Sequence, residues 1–282
     1  MIRVFQITVL SCLGFCLIGC RSAEQSEPKP EQIKIGDIAP SRSGKQPAAE
    51  LLNTVNFDVY IFEIPAENVS KLNDAWQILY LKPLLFTNYN AFRANSFIVR
   101  FGQVQMWQRV NDLLRAADGQ KITTVSLLLP DGQTNDLIVT ELNSKQSISF
   151  IADNGSGQGA TIGPGNLVLR IKAEKIPEAR GVCKLIAYPV FTVPIRSSIP
   201  ELVARAKLRE FVFSSAAFGL KMGPGDFVVL APERYISDKS TLGGLFFSKP
   251  EGSLFFSPAD PRKPELKPVA RIFLLVCSRI NY

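Results

Sequence analysis

Apolar residues along this chain follow two periods, and the change of period marks the elements. Residues 55–64 (VNFDVYIFEI) alternate and predict a strand. Pro65 opens a helix in which Val69, Leu72, Trp76 and Leu79 share one face. Short apolar runs at 83–88 and 96–101 predict two more strands. Gly102 then breaks the pattern, and Val104, Trp107, Val110, Leu114 and Ala117 form a second helical stripe that Gly119 terminates. This is a βαββα order, in which both tryptophans face the core.

Beyond Gly119 the period is mostly two. Strands are expected at 122–129, 137–142, 147–152, 166–176, 181–193, 208–213, 227–231 and 271–280. Pro130-Asp131-Gly132 supplies a turn. In 166–176 the residues Leu167, Leu169, Ile171 and Ala173 lie on one face. Ser198 and Glu201 form a capping box with Pro200 in the first turn, which predicts a short helix over 198–207. Residues 232–268, rich in Pro, Ser and Gly, are expected to be irregular. The last run is apolar at 272, 274, 276 and 280 and also at 273, 275 and 277, with Tyr282 beyond it. Outer-membrane barrel strands can end on such an aromatic, but a strand buried on both faces fits these residues better.

The N-terminus carries a separate signal. Arg3 precedes an apolar stretch, 4–18, that is short for a bilayer span of about 20 residues. It ends in Leu17-Ile18-Gly19-Cys20. A small residue before a cysteine suits both a signal peptidase and lipid transfer to the thiol. The segment resembles bacterial lipoprotein signals. That resemblance implies cleavage between Gly19 and Cys20, diacylglycerol on Cys20 and a fatty amide such as palmitate. Several acyl chains hold a protein stably where one does not. Arg21 follows the cysteine, which favours the outer over the inner membrane, with the protein facing the periplasm. Residues 20–54, polar and rich in Pro and Ser, cannot bury enough surface to offset chain entropy and read as a tether. The organisation expected is a signal peptide (1–19), a lipid-anchored tether (20–54), the βαββα module (55–119) and a β-rich module (120–282).

Composition narrows the chemistry. About 230 residues remain after signal and tether, enough for one large or two small domains. The formal charge is +7, and its lysines and arginines are interleaved with acids, so no dedicated anion face is expected. The chain has no histidine. Ser-His-Asp and Cys-His catalysis and imidazole metal sites are thereby excluded. Of five cysteines, Cys12 and Cys16 belong to the signal and Cys20 takes lipid. Cys183 and Cys277 remain, as a disulfide in an oxidising compartment or as two buried thiols. Gly155-Ser156-Gly157-Gln158-Gly159-Ala160 matches a loose dinucleotide pattern. No helix is predicted after it, so it reads as a hairpin connection. No two glycines are three apart, so the chain lacks the clamp of a KH-type RNA binder, and export argues further against nucleic acid. Glu63, Asp74, Asp226 and Glu233 are carboxylates for which no acid–base partner is apparent. No catalytic residue, metal or cofactor is expected.

Several segments are similar to bacterial secretins. Residues 57–64, the helix over 69–79, and Ala94-Asn95-Ser96-Phe97-Ile98-Val99 followed by the helix ending Leu114-Arg115-Ala116-Ala117-Asp118 resemble a secretin N-domain. Residues 211–232, Leu242-Gly243-Gly244-Leu245-Phe246-Phe247 and 274–280 resemble parts of the secretin core. Cys277-Ser278 stands where that core has Thr-Pro, and one N-module replaces several. The resemblance implies an α+β fold, a small βαββα module followed by a β-rich secretin-like module. It also implies self-association, with the face around residues 96–101 as the contact between copies. The function expected is a non-enzymatic, lipid-anchored structural or assembly protein of the cell envelope, associating with itself or with subunits of a secretion or pilus-type machine. The alternative is a monomeric lipoprotein that captures glycan or peptide through loops at 153–164 and 232–268.

Overall fold

A computed structural model describes residues 53–177, 179–194, 198–257 and 260–281. The expected signal peptide and lipidation site lie outside these residues, as does the tether apart from Asn53 and Thr54. The fold is mixed, and strand (53%) outweighs helix (21%), so sheet carries the architecture.

Fourteen strands are described: β1 (Thr54–Pro65), β2 (Leu85–Phe86), β3 (Phe97–Gly102), β4 (Gln120–Pro130), β5 (Thr134–Leu142), β6 (Gln146–Ile151), β7 (Gly157–Ile162), β8 (Gly165–Lys175), β9 (Cys183–Thr192), β10 (Phe211–Val212), β11 (Phe218–Met222), β12 (Phe227–Pro232), β13 (Ser248–Ser257) and β14 (Asp260–Ile280). The α-helices are α1 (Asn73–Ile78, after a 3-10 turn at Ala66–Leu72), α2 (Tyr89–Ala94), α3 (Trp107–Ala116), α4 (Pro200–Lys207) and α5 (Leu242–Phe247).

Two six-stranded antiparallel sheets form the body. The first runs β3-β12-β14-β1-β4, with β13 also on β14; the second runs β2-β11-β9-β8-β5, with β10 on β9. Strands β6 and β7 make a separate hairpin. Alternation along β14 explains the layering. Phe273, Leu275 and Cys277 face the core between the sheets, where Leu167, Leu169, Ile171 and Ala173 of β8 meet them. Ile272 and Leu274 face the other way, onto Leu72, Val110 and Leu114 of the helical layer. Strand β14 is therefore buried on both faces over 272–275, as its two-sided apolar pattern requires.

Helix α3 ends as predicted, but the left-handed residue is Asp118 (φ 57°), not Gly119. The Gly119 N–H donates to Leu114 O (2.8 Å) and the Asp118 N–H to Arg115 O (2.9 Å), a Schellman pairing. A Cβ on Gly119 would lie 2.7 Å from Leu114 O, so glycine is needed for approach.

Several expectations are corrected. The strand expected at 83–88 contracts to β2 and joins the second sheet, and Tyr89–Ala94 is a helix capped by the Asn88 side chain. Residues 232–268 are not irregular throughout: they contain α5, β13 and the start of β14. Stretches 55–119 and 120–282, expected as successive modules, share one sheet. In it β12 and β14 lie between β1 and β3, and Leu51–Tyr282 is one compact unit.

Candidate functional site

The Asn95-Ser96 corner joins four elements. Asn95 follows α2 and is buried; its Nδ2 donates to Ala91 O (2.9 Å), Ile151 O (2.8 Å) and Ser215 Oγ (3.2 Å), while its Oδ1 accepts from Ile151 N–H (2.8 Å). Ser96 is buried with φ 66°, a conformation few non-glycine residues adopt. It turns the chain so that Phe97 enters β3 against Phe246 (5.1 Å) and Phe247 (4.7 Å) of α5. A Cβ on Gly243 would lie 2.3 Å from Asn95 O and 2.9 Å from Ser96 Cβ. The segments 94–99 and 242–247, picked out separately in the sequence, thus touch.

This packing changes the expected contact face. Ser96, Phe97, Ile98, Val99 and Phe101 are all buried within the chain. Their side chains are therefore not available to a neighbouring copy. Tyr80 also bridges the edge of β3, with N–H···O bonds of 2.8 Å in both directions to Phe101.

Beside the corner is an open groove of about 490 Å³. Its floor is one face of the β6–β7 hairpin, where Ser149 lies opposite Gly159 and Ile151 opposite Gly157. The other face sends Ile148, Phe150 and Ile162 into the core, with Phe150 against Phe213 (5.3 Å). Arg234, Ile236 and Thr241 form the wall opposite. That wall is tied to the floor, since Ser149 N–H donates to Ser240 O (2.6 Å). The Ser240 hydroxyl and N–H in turn donate to Asp238, holding its carboxyl below the usual range. A Cβ on Gly157 would meet nothing within 4 Å, and one on Gly159 only Ile148 O at 3.9 Å. Neither glycine has a positive φ. Packing and backbone do not require them; they leave the floor flat, as where another backbone approaches closely. The dinucleotide-like motif resolves into a turn with Gly155 at φ 81°, followed by β7. No helix N-terminus follows to cradle a phosphate.

A second surface is the β13–β14 hairpin. Leu254 pairs with Leu266 and Phe256 with Pro264, so their side chains share one face. Leu254, Phe256 and Leu266 are 55%, 62% and 65% exposed, whereas Phe255 on the opposite face is buried. The hairpin base is fastened by Glu63, a buried carboxylate on β1. Glu63 accepts from the Ser253 hydroxyl and contacts Lys249 (3.4 Å) and Arg271 (3.5 Å). Arg271 also donates to Val139 O (2.6 Å) of the second sheet.

The remaining carboxylates considered as catalytic are dispersed. Asp74 is exposed on α1, Asp226 accepts from Gly223 N–H (2.8 Å) in the β11–β12 turn, and Glu233 pairs with Arg93. Among the described residues no three His, Cys, Asp or Glu side chains are grouped as for a metal, and no helix is long and apolar enough to cross a membrane. Cys183 on β9 and Cys277 on β14 are brought together. Both are buried in the inter-sheet core, and the two side chains interact. That contact lowers the pKa of Cys183 from its usual value and, with burial, raises that of Cys277. Neither the groove nor the hairpin face was assigned residue by residue from the sequence. The signals were available in the alternating glycines Gly157 and Gly159, in a segment read as a hairpin connection that the structure shows to begin β7, and in the run Leu254-Phe255-Phe256 within a polar stretch. Comparison with protein-family models, with curated proteins and with solved structures finds nothing that matches the chain.

Proposed function

We propose that this chain is an exported, Cys20-lipidated structural or assembly protein of the cell envelope, facing the periplasm at the outer membrane, which works by associating with copies of itself. The observation that carries this reading is the exposed apolar face of the β13–β14 hairpin, formed by Leu254, Phe256 and Leu266. Contiguous exposed apolar surface on a protein with a closed core marks an interaction site. The secretin-like part of the proposal draws on the segments 94–99 and 242–247, which meet at the Asn95 corner. Its βαββα module would be one whose strands share a sheet with those of 120–282.

The test is the mass of the full-length lipoprotein in mild detergent, by light scattering with electron microscopy of the same fraction. An assembly of defined size is expected, and F256E/L266E should lower that mass without changing the circular dichroism spectrum. A monodisperse monomer of the unaltered protein would sink the reading. A second reading, capture of a peptide or glycan, is favoured by the glycine-floored groove. Enrichment of one ligand class on the protein, lost in Gly157→Val, would move the function there.

A further inference from the structure

Two cysteines 94 positions apart come together at the point where the two sheets are joined. Cys183 opens β9, next to Met222 at the end of β11, and its thiol lies 3.5 Å from Met222 O. Cys277 is near the end of β14. Its N–H donates to Asp226 O (2.9 Å), and its carbonyl accepts from Gly225 N–H (2.8 Å). The short turn from Met222 to Phe227 carries the chain from the second sheet to the first; Cys183 pairs with its first residue, Cys277 bonds to Gly225 and Asp226 within it, and both cysteines are buried in the same core beside it. Neither cysteine side chain is exposed.

A fully buried residue touches roughly 6–12 others, a small share of a core this large. Cys183 and Cys277 are the only cysteines left once Cys12 and Cys16 go with the signal and Cys20 carries lipid. Chance contact between this one pair is therefore the exception. Two small hydrophobes would serve equally well anywhere in the core, whereas a disulfide needs its two cysteines brought close together.

We infer that Cys183 and Cys277 form a cross-sheet disulfide in the mature protein, stapling β9 to β14. The chemistry is thiol–disulfide exchange with a disulfide oxidant, either a protein dithiol catalyst in its oxidised form or a small-molecule disulfide. One thiolate attacks the oxidant and releases its first thiol. The second thiolate attacks the resulting mixed disulfide and releases the other. Two cysteine thiols are oxidised to one disulfide, the oxidant's disulfide is reduced to two thiols, and the two protons pass to those thiols. Both sulfurs are buried in the folded state, so the bond forms while the sheets are closing.

The inference rests on the export reading for its oxidising compartment, and the experiment separates the two. Full-length protein is alkylated with N-ethylmaleimide in intact cells, extracted in detergent, digested and mapped by mass spectrometry. A second sample is unfolded, reduced, and refolded in a glutathione/glutathione-disulfide buffer before the same mapping. The expected result in both is a linked Cys183–Cys277 peptide pair, two hydrogens lighter than the reduced pair and lost on reduction. Linkage after refolding with free thiols in cells supports the staple and overturns the exported compartment. Free, alkylated thiols after refolding overturn the staple. Cys183→Ser and Cys277→Ser should each leave the other cysteine alkylatable on unfolding without reductant, a readout that survives poor folding of either variant.

Discussion

Asn95 offers its amide to Ile151 as a strand offers its backbone, donating to the carbonyl and accepting from the N–H, both at 2.8 Å. The inner edge of β6 is closed by one side chain there, and the corner of α2 is closed with it. In Asn95→Ala the Ile151 N–H and C=O and the Ala91 carbonyl lose this partner. Each unsatisfied buried group costs about 1–3 kcal/mol, and these are partly wet, so a loss of about 2–4 kcal/mol is expected. Urea unfolding measures it, and a change under about 0.5 kcal/mol would remove the corner from any account of the fold.

Gly243 and Gly157 should respond to alanine in opposite ways. A methyl at 243 enters the space of the Asn95 carbonyl, and overpacking of this kind costs about 1–3 kcal/mol. A methyl at 157 meets nothing, and the unfolded chain loses freedom, so Gly157→Ala should leave stability unchanged or raise it by up to about 1 kcal/mol. Thermal melts of the two variants side by side decide the matter; equal destabilisation would contradict the floor geometry.

Stability should be flat between about pH 5.5 and 7.5, because no histidine titrates there. On the acid side four carboxyls are held below their ordinary values. Glu67 is held down by its hydrogen bond and charge contact with Lys267, and Glu174 by Lys172. A backbone hydrogen bond and Lys239 lower Glu251, and Ser240 lowers Asp238. A depressed folded-state value means that the contribution is complete above the unfolded value, 4.5 for the glutamates and 3.8 for the aspartate, and is lost as pH falls through the folded one. On the alkaline side Lys172 and Lys267 are raised by Glu174 and Glu67, so their contribution is complete below 10.5 and fades above it. Denaturation midpoints across pH 3–11 check both arms, and a step near pH 6.5 would contradict the scheme.

Arg170 holds two carboxylates on the outer side of the second sheet. It meets Asp136 at 2.7 and 2.8 Å and Glu210 at 2.6 and 3.0 Å, and those contacts raise its own pKa. Removing one partner of a fully buried pair costs about 3–5 kcal/mol. Asp136 keeps about a third of its surface in water, so Arg170→Met should cost less, about 2 kcal/mol. Adding Asp136→Asn relieves the repulsion left behind, and the double variant is expected to be more stable than Arg170→Met alone. Additive losses would mean the three groups act independently.

Elements with a clean period were legible in the sequence. The face of β8 formed by Leu167, Leu169, Ile171 and Ala173 is fully buried, and the two-sided apolar run of β14 lies between two cores. Local composition misled where tertiary contacts decide. Pro264 argues for a loop, yet it pairs with Phe256 in a hairpin, where its missing N–H is tolerated more readily than in a central strand. Helix α2 has no apolar stripe long enough to reveal it and depends on the Asn88 cap. The Asn95 corner was visible only as a short motif, because its partners Ile151, Ser215 and Gly243 lie 56 to 148 positions away in sequence. No periodicity places β1 between β14 and β4.

That placement orders events during synthesis. β1 is the first of the described strands to emerge, and Val55 pairs with Ile280, Tyr60 with Leu274 and Ile64 with Ala270. The centre of the first sheet is thus vacant until the final strand is made, and both cores remain open with it. The strands of the second sheet and the β6–β7 hairpin are all made before then, but they have no completed first sheet to pack against until β14 fills the gap between β1 and β12.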